Sequence, residues 1–254
     1  MKKVYFITDA HLGSWALPQR RMRERRLVRF LDQIKNKAEA VYMLGDMFDF
    51  WYEFKYVVPK GYSRFLGKIS ELTDNGVEVH YFTGNHDMWS YGYLERECGV
   101  IMHNEPITVE LSGQVFYMAH GDGLGDPSRS FRLLRSVFHS KLCRFLFSLL
   151  PTRWSMYLGL QWAKNSMSKH IRDGIDSYYG EDREPAILYS KEYYKTHPDI
   201  NFFIYGHRHI ELEQPLSDTC KVLIAGEWID KCTYLEYDGS ALRLCNYIEG
   251  ETKV

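Results

Sequence analysis

The chain has 254 residues, 45% of them hydrophobic and 26% charged, with a net charge of -1. These proportions exclude a disordered, collagenous or coiled-coil chain, and they fit one large domain that buries roughly 70% of its unfolded surface. No uninterrupted apolar stretch approaches a membrane span, and five scattered cysteines without a Cys-x-x-Cys pair point to reduced thiols. The apolar run after Met1-Lys2-Lys3 is too short for a signal-peptide core, so the expected compartment is the cytoplasm.

In chain order, a first strand, Lys3 to Ile7, leads into Thr8-Asp9-Ala10-His11. A helix follows over Arg23 to Lys37, with Leu27, Phe30, Leu31 and Ile34 at helical spacing. A second strand, Ala40 to Leu44, ends in Gly45-Asp46. The next helix, Gly61 to Asn75, carries Phe65, Leu66, Ile69 and Leu72. A third strand, Val77 to Phe82, runs into Thr83-Gly84-Asn85-His86-Asp87. Thr108 to Leu111 and Val115 to Ala119 flank Ser112-Gly113 as a hairpin, and the second of them ends in His120-Gly121-Asp122. Phe202 to Tyr205 leads into Gly206-His207-Arg208-His209, and Tyr234 to Tyr247 reads as a final hairpin across Asp238-Gly239. Strands alternating with helices predict parallel βαβ units, and the later hairpins predict a second sheet. The expected class is α/β, two packed sheets flanked by helices.

Five polar clusters thus stand at the carboxyl ends of five predicted strands, where open α/β sheets gather their sites. Carboxylate, amide and imidazole are the donors that hard and borderline divalent metals accept. Gly45, Gly84, Gly121 and Gly206 adjoin four of the clusters and let the chain turn close to a ligand. One Asp-x-His is weak as a signal, whereas five clusters at five strand ends are not a coincidence. The other histidines, His80, His103, His139, His170 and His197, are expected in structural or surface roles.

The blocks Asp-x-His, Gly-Asp, Gly-Asn-His-Asp, His and Gly-His-x-His resemble the calcineurin-like metallophosphoesterases, from Asp9 to His209. The resemblance implies two metals. Asp9, His11 and His209 would hold the first, and Asn85, His120 and His207 the second, with Asp46 shared. Two dications about 3.5–4 Å apart clamp a phosphate and make water a nucleophile near neutral pH. His86 is expected at a phosphoryl or leaving-group oxygen, with Asp87 orienting its ring.

From His120 to His207 the chain spends 87 residues, far more than one crossover helix needs. The stretch 128–172 holds nine of the 32 basic residues (Arg129, Arg132, Arg135, Lys141, Arg144, Arg153, Lys164, Lys169 and Arg172) and no acidic one. It is also rich in Phe, Leu and Trp, and Pro151 divides it into at least two helices. A basic, apolar helical cap suits an anionic membrane surface or a substrate with a charged head and an apolar tail, and equally a lid with a solvated basic face. A second basic run, Arg20 to Arg29, follows the Asp9/His11 loop.

Within the superfamily, Asp-Ala-His-Leu, Gly45 to Trp51, His120 to Leu124 and the insertion resemble the UDP-2,3-diacylglucosamine hydrolases of lipid A biosynthesis. That resemblance implies attack of metal-bound water on a pyrophosphate, releasing UMP and an acylated glucosamine 1-phosphate. It also implies manganese, a lipid-linked nucleotide substrate, a peripheral position on the cytoplasmic face of the inner membrane, and a lid over about 128–180 within a single domain, 1–254. Asn165, Ser166 and Lys169 match the part of that lid that faces substrate. Many of these hydrolases carry arginine where this chain has His86, so a cytosolic phosphodiesterase or nuclease of the same superfamily is the alternative. Nucleic acid is a partner only in that reading, and nothing points to a protein partner.

Overall fold

The computed structural model describes residues 2–124, 136–138, 140–173 and 177–247. Two sheets lie face to face between helices. The first has six strands in the order β11-β10-β1-β2-β3-β4, and the second has five in the order β5-β6-β7-β9-β8. In chain order the strands are β1 (Lys3–Ile7), β2 (Ala38–Met43), β3 (Glu78–Phe82), β4 (Ile101–His103), β5 (Ile107–Leu111), β6 (Gln114–Ala119), β7 (Phe202–Tyr205), β8 (Glu211–Pro215), β9 (Lys221–Ala225), β10 (Thr233–Tyr237) and β11 (Leu242–Asn246). Strands β1 to β4 pair in parallel, as do β6, β7 and β9. Both expected hairpins, β5-β6 and β10-β11, are antiparallel.

The period of two along each strand sorts the core into layers. On β1, Val4 and Phe6 join Phe116, Met118, Ile204 and Leu223 between the sheets. Their neighbours Tyr5 and Ile7 face the other way, toward helices α1 (Arg20–Ile34) and α2 (Ser63–Asp74), and meet Leu27, Phe30, Leu31, Phe65 and Ile69. Full burial of each such side chain contributes about 1.5–3 kcal/mol, so Phe30→Ala should cost about 3–5 kcal/mol. Beyond a short helix α3 (Tyr93–Cys98), the outer face of the second sheet is covered by α6 (Pro185–Tyr194) through Ala186 and Ile187.

Helix α1 begins at Arg20 and ends at Ile34, three residues ahead of the periodic segment at both ends. Apolar periodicity marks only the buried face, so it misses a first turn of Arg20, Arg21 and Met22. Past Ile34 the chain leaves the helix because Lys37 carbonyl accepts Lys3 N–H (2.8 Å), which starts the pairing with β1.

The insertion forms α4 (Lys141–Leu149) and α5 (Thr152–Asp173), divided at Leu150-Pro151 as expected. Met156, Leu160 and Trp162 pack on Phe50, Tyr52 and Trp89 of the body. Gly159 permits this approach, since a Cβ there would lie 2.1 Å from the Phe50 ring. Arg129, Arg132, Arg135 and His139 lie outside the described residues. Among the described residues no helix is long and apolar enough to cross a membrane, and all five cysteines are free.

Candidate metal centre

The five clusters converge at one edge of the sandwich, beyond β1, β2, β3, β6 and β7. Asp9, His11, Asp46, His207 and His209 all have φ between 40° and 65°. This left-handed region costs a non-glycine residue roughly 1–2 kcal/mol, and Asp and His tolerate it better than most. Backbone hydrogen bonds between loops hold it in place: Asp9 N–H to Gly45 O (3.1 Å), His11 N–H to Asp46 O (2.9 Å) and Leu12 N–H to Met47 O (2.9 Å). The loops after β1 and β2 therefore run side by side past the sheet. Close approach also requires Gly84, where a Cβ would stand 2.1 Å from Asp46 Oδ1 and 2.6 Å from Asp46 N.

Three overlapping donor groups result, and the third, His11, Asp46 and His86, shares a residue with each of the other two. In the first, Asp9 Oδ1 lies 3.3 Å from His209 Nε2 and 3.8 Å from His11 Nε2, and the two ring nitrogens are 3.2 Å apart. In the second, Asp46, His120 and His207 gather, with Asn85 Oδ1 3.4 Å from His120 Nε2. Asp46 Oδ2 faces the first and second groups, 3.7 Å from His11 Nε2 and 3.4 Å from His120 Nε2.

The ring orientations suit ligation. His120 Nδ1 donates to Leu44 O (2.7 Å), so Nε2 is the ring nitrogen turned toward Asp46. His11 Nδ1 faces Asp49 Oδ1 at 3.3 Å, the outer-layer carboxylate that orients a metal-binding imidazole. Asp9 Oδ1 is buried with no hydrogen-bond partner. A bare carboxylate oxygen among imidazole nitrogens fits a divalent cation and leaves a purely hydrogen-bonded interior incomplete.

The electrostatics agree with this. Burial alone would raise the Asp9 carboxyl, but His209 and then His120 outweigh it and hold Asp9 at about 2. Asp46 likewise stays well below the carboxylate range despite burial, through His120 and His86. Burial, then the charge on His120, pulls His207 down to about 4.

Asp87 corrects an expectation. Its carboxylate does not reach the His86 ring. It accepts Gly84 N–H (2.8 Å), Asp46 N–H (3.3 Å), Phe48 N–H (3.3 Å) and Tyr81 O–H (2.5 Å), tying the β2 and β3 loops together. A carboxylate one residue from His86 finds backbone donors sooner than the neighbouring ring. Burial and the nearby Asp46 charge push Asp87 up to about 6. The His86 ring is set instead by its Nδ1 donating to Asp49 O (2.7 Å), and it packs at right angles to His11.

A small cleft of about 50 Å³ opens on the centre, lined by Asp46, Asn85, His86, His207 and His209, with Ser166, Met167 and His170 of α5. Ser166 is thus at the site, whereas Asn165 and Lys169 are exposed and outside this lining. His170, expected in a structural or surface role, stands with its ring 4.4 Å from that of His209. His80 and His103 stack beside Tyr42 on the first sheet, and His197 stacks on Tyr193, as structural residues do. Arg208 was also without an assigned role. It is buried, donates from Nε to Glu184 Oε1 (2.8 Å) and from Nη2 to Ser177 O (3.0 Å), and lies over Tyr179. It fixes the loop that carries His207 and His209. Asp49 was legible only as part of the Gly45 to Trp51 block, and His170 had no separate signal.

Beside the centre, under the lid, lies an almost wholly apolar cavity of about 270 Å³ walled by Phe50, Tyr52, Trp89, Phe138, Phe147 and Trp162. Trp162 also meets the His86 ring, at 5.2 Å, so the apolar wall continues to the polar site.

Two sheets sandwiched between helices, with hard donors gathered at the strand ends, define a calcineurin-like metallophosphoesterase that uses divalent metals. No family model matches the chain. It is 41% identical over 252 residues to a UDP-2,3-diacylglucosamine hydrolase of Porphyromonas gingivalis, covering 95% of this chain and 96% of that one. It is 28% identical over 247 residues to a protein of the same name from Neisseria meningitidis, covering 94% and 95%. The chain belongs to the UDP-2,3-diacylglucosamine hydrolase family. Among solved structures, a dimetal phosphatase from Danio rerio aligns with a TM-score of 0.45 and 13% identity over 96% of this chain and 95% of that one.

Proposed function

We propose that this protein hydrolyses the pyrophosphate of UDP-2,3-diacylglucosamine, the compound its relatives are named for, to UMP and 2,3-diacylglucosamine 1-phosphate. The observation that carries the reading is the pairing of two donor groups around Asp46 with an apolar cavity next to them. Phosphoryl chemistry and an acyl-chain pocket then sit within one substrate's reach. Asp9, His11, His209 and Asp46 would hold one divalent cation, and Asn85, His120, His207 and Asp46 the other, with manganese the metal of choice. Such a pair supplies Lewis acidity at a phosphoryl oxygen and lowers the pKa of water.

The chain's own residues do the rest. His86, with Nδ1 committed to Asp49 O, turns Nε2 toward the leaving group, where it stabilises or protonates the departing oxygen. Asp87 and Asp49 keep the ligand loops in register. The lid, about 128–180 of a single catalytic domain, excludes water and presents Ser166, with Asn165 and Lys169 on the same helix, to the sugar phosphate. Leu142, Phe145, Leu146, Leu149 and Trp154 are exposed beside Lys141, Arg144 and Arg153. That mixture supports peripheral binding to an anionic membrane, at the cytoplasmic face of the inner membrane.

The test is incubation with Mn2+ and UDP-2,3-diacylglucosamine, in parallel with bis-p-nitrophenyl phosphate and single-stranded DNA. UMP release from the first is expected; rapid DNA cleavage without UMP would sink the reading. Asp46→Ala should abolish turnover and bring bound metal below two per chain. Phe145→Ser with Leu149→Ser should weaken adsorption to anionic vesicles, and unchanged adsorption would refute the membrane role of α4.

A further inference from the structure

A second and larger cavity, of about 820 Å³, opens on the other side of α5. It begins at Leu12, the residue after His11, and runs under Arg153, Met156 and Leu160. Met156, Leu160, Ala163, Met167 and His170 recur at steps of four and three, so they share one helix face. This groove and the metal centre are therefore stations along a single face of α5. From Leu160 in the groove to Ser166 at the centre is six residues, about 9 Å of helix.

The lining has an uncommon charge. Arg20, Arg21, Lys60, Arg64 and Arg153 come from three separate segments and surround it, against one acid, Glu24. Glu24 is buried and already accepts Phe65 N–H. Among the described residues none of the five cations forms an ion pair with a carboxylate, so their mutual repulsion is left for solvent or an anion to offset. At the mouth, Trp15 stands 6.2 Å from Tyr157, and the Arg20 guanidinium lies over the Trp15 ring at 6.0 Å. An aromatic platform edged by guanidinium groups matches a ligand that joins a flat base to a phosphate.

We propose that this groove binds the nucleoside half of the substrate, with the base against Trp15 and the arginines drawing the pyrophosphate it carries toward the adjoining metal centre. The proposal rests on the reading of function above and divides the substrate along α5. Acyl chains occupy the apolar cavity at Trp162, the scissile phosphates lie at the centre by Ser166, and the nucleoside lies beside Arg153. It also gives a role to the basic run at the start of α1, which the metal chemistry leaves unused.

The experiment is calorimetric titration of UMP into the manganese-loaded protein and, separately, into protein in EDTA. The variants are Trp15→Ala, Arg20→Glu and the fully surface-borne Arg153→Ala, with thermal midpoints confirming that each is folded. Kd for UMP should rise about tenfold in Trp15→Ala, with a parallel rise in KM for UDP-2,3-diacylglucosamine, and the effect should persist in EDTA. Wild-type affinity in all three variants would overturn the proposal, as would variants that lose only adsorption to anionic vesicles. Because UMP titration needs no turnover, a protein that releases no UMP from the lipid substrate yet binds it through Trp15 and Arg153 would refute the function and leave the groove standing. The converse result would refute the groove alone.

Discussion

Replacing Glu184 by alanine removes a carboxylate partner of a buried guanidinium. Arg208 donates from Nε to Glu184 Oε1 at 2.8 Å and from Nη2 to Oε2 at 3.3 Å, and Glu184 is fully inaccessible to solvent. Breaking such a pair from one side costs about 3–5 kcal/mol, because the remaining charge stays desolvated. At about 2–4 °C per kcal/mol for a chain of this size, the midpoint should fall by roughly 6–20 °C. The damage should not stop at stability. Arg208 sits between His207 and His209, so a loosened guanidinium lets both imidazoles drift. Affinity for Mn2+ should drop about 10–100-fold, the usual consequence of losing an outer-layer contact. Thermal unfolding in EDTA isolates the fold from metal linkage, and calorimetric titration of Mn2+ reads the second effect. The double variant Glu184→Ala with Arg208→Met removes both charges and should recover part of the midpoint. A midpoint within about 2 °C of wild type in Glu184→Ala, with unaltered Mn2+ affinity, would refute this account.

Three further outcomes are expected. Gly84→Ala should fold yet lose about 100-fold in turnover, since its Cβ collides with backbone of the Asp46 loop and displaces that carboxylate; equal turnover would show that the loop yields freely. Gly159→Val should lift α5 from the Phe50 ring at an overpacking cost of about 1–3 kcal/mol, read as a raised KM for the lipid-linked substrate with bis-p-nitrophenyl phosphate as comparison. Burial pushes the Cys220 thiol from 9.0 up to about 11, so its contribution to stability is complete below pH 9 and disappears as pH rises toward 11. Unfolding free energy measured across that window should fall less in Cys220→Val than in wild type, and parallel curves would contradict the shift.

The ligand loops were legible because each follows a short apolar strand, and parallel strands bring their carboxyl ends to one edge. That is why Asp9, Asp46, Asn85, His120 and His207, scattered over 198 residues, were legible as one set. Asp87 has a different partner from the one its position in the sequence suggests. Adjacency in sequence suggested the His86 ring, but a strand-end turn directs the carboxylate at Gly84 and Asp46 N–H. His170 was illegible for a different reason. Helical period places it on a face of α5, but nothing local says that this face docks on the Gly206 to His209 loop.

The sequence by itself determined the donor types, their order at the strand ends and the basic, apolar character of the insertion, because these depend on residue identity and local period. Only the tertiary structure decided that Asp46 faces the first two donor groups, that Asp49 orients His11, and that Arg208 is anchored to Glu184. The tertiary structure likewise separated two cavities on either side of α5, one apolar and one basic. These depend on how loops and a lid distant in the chain pack against one another, and packing of that range is set by the whole core rather than by any segment within it.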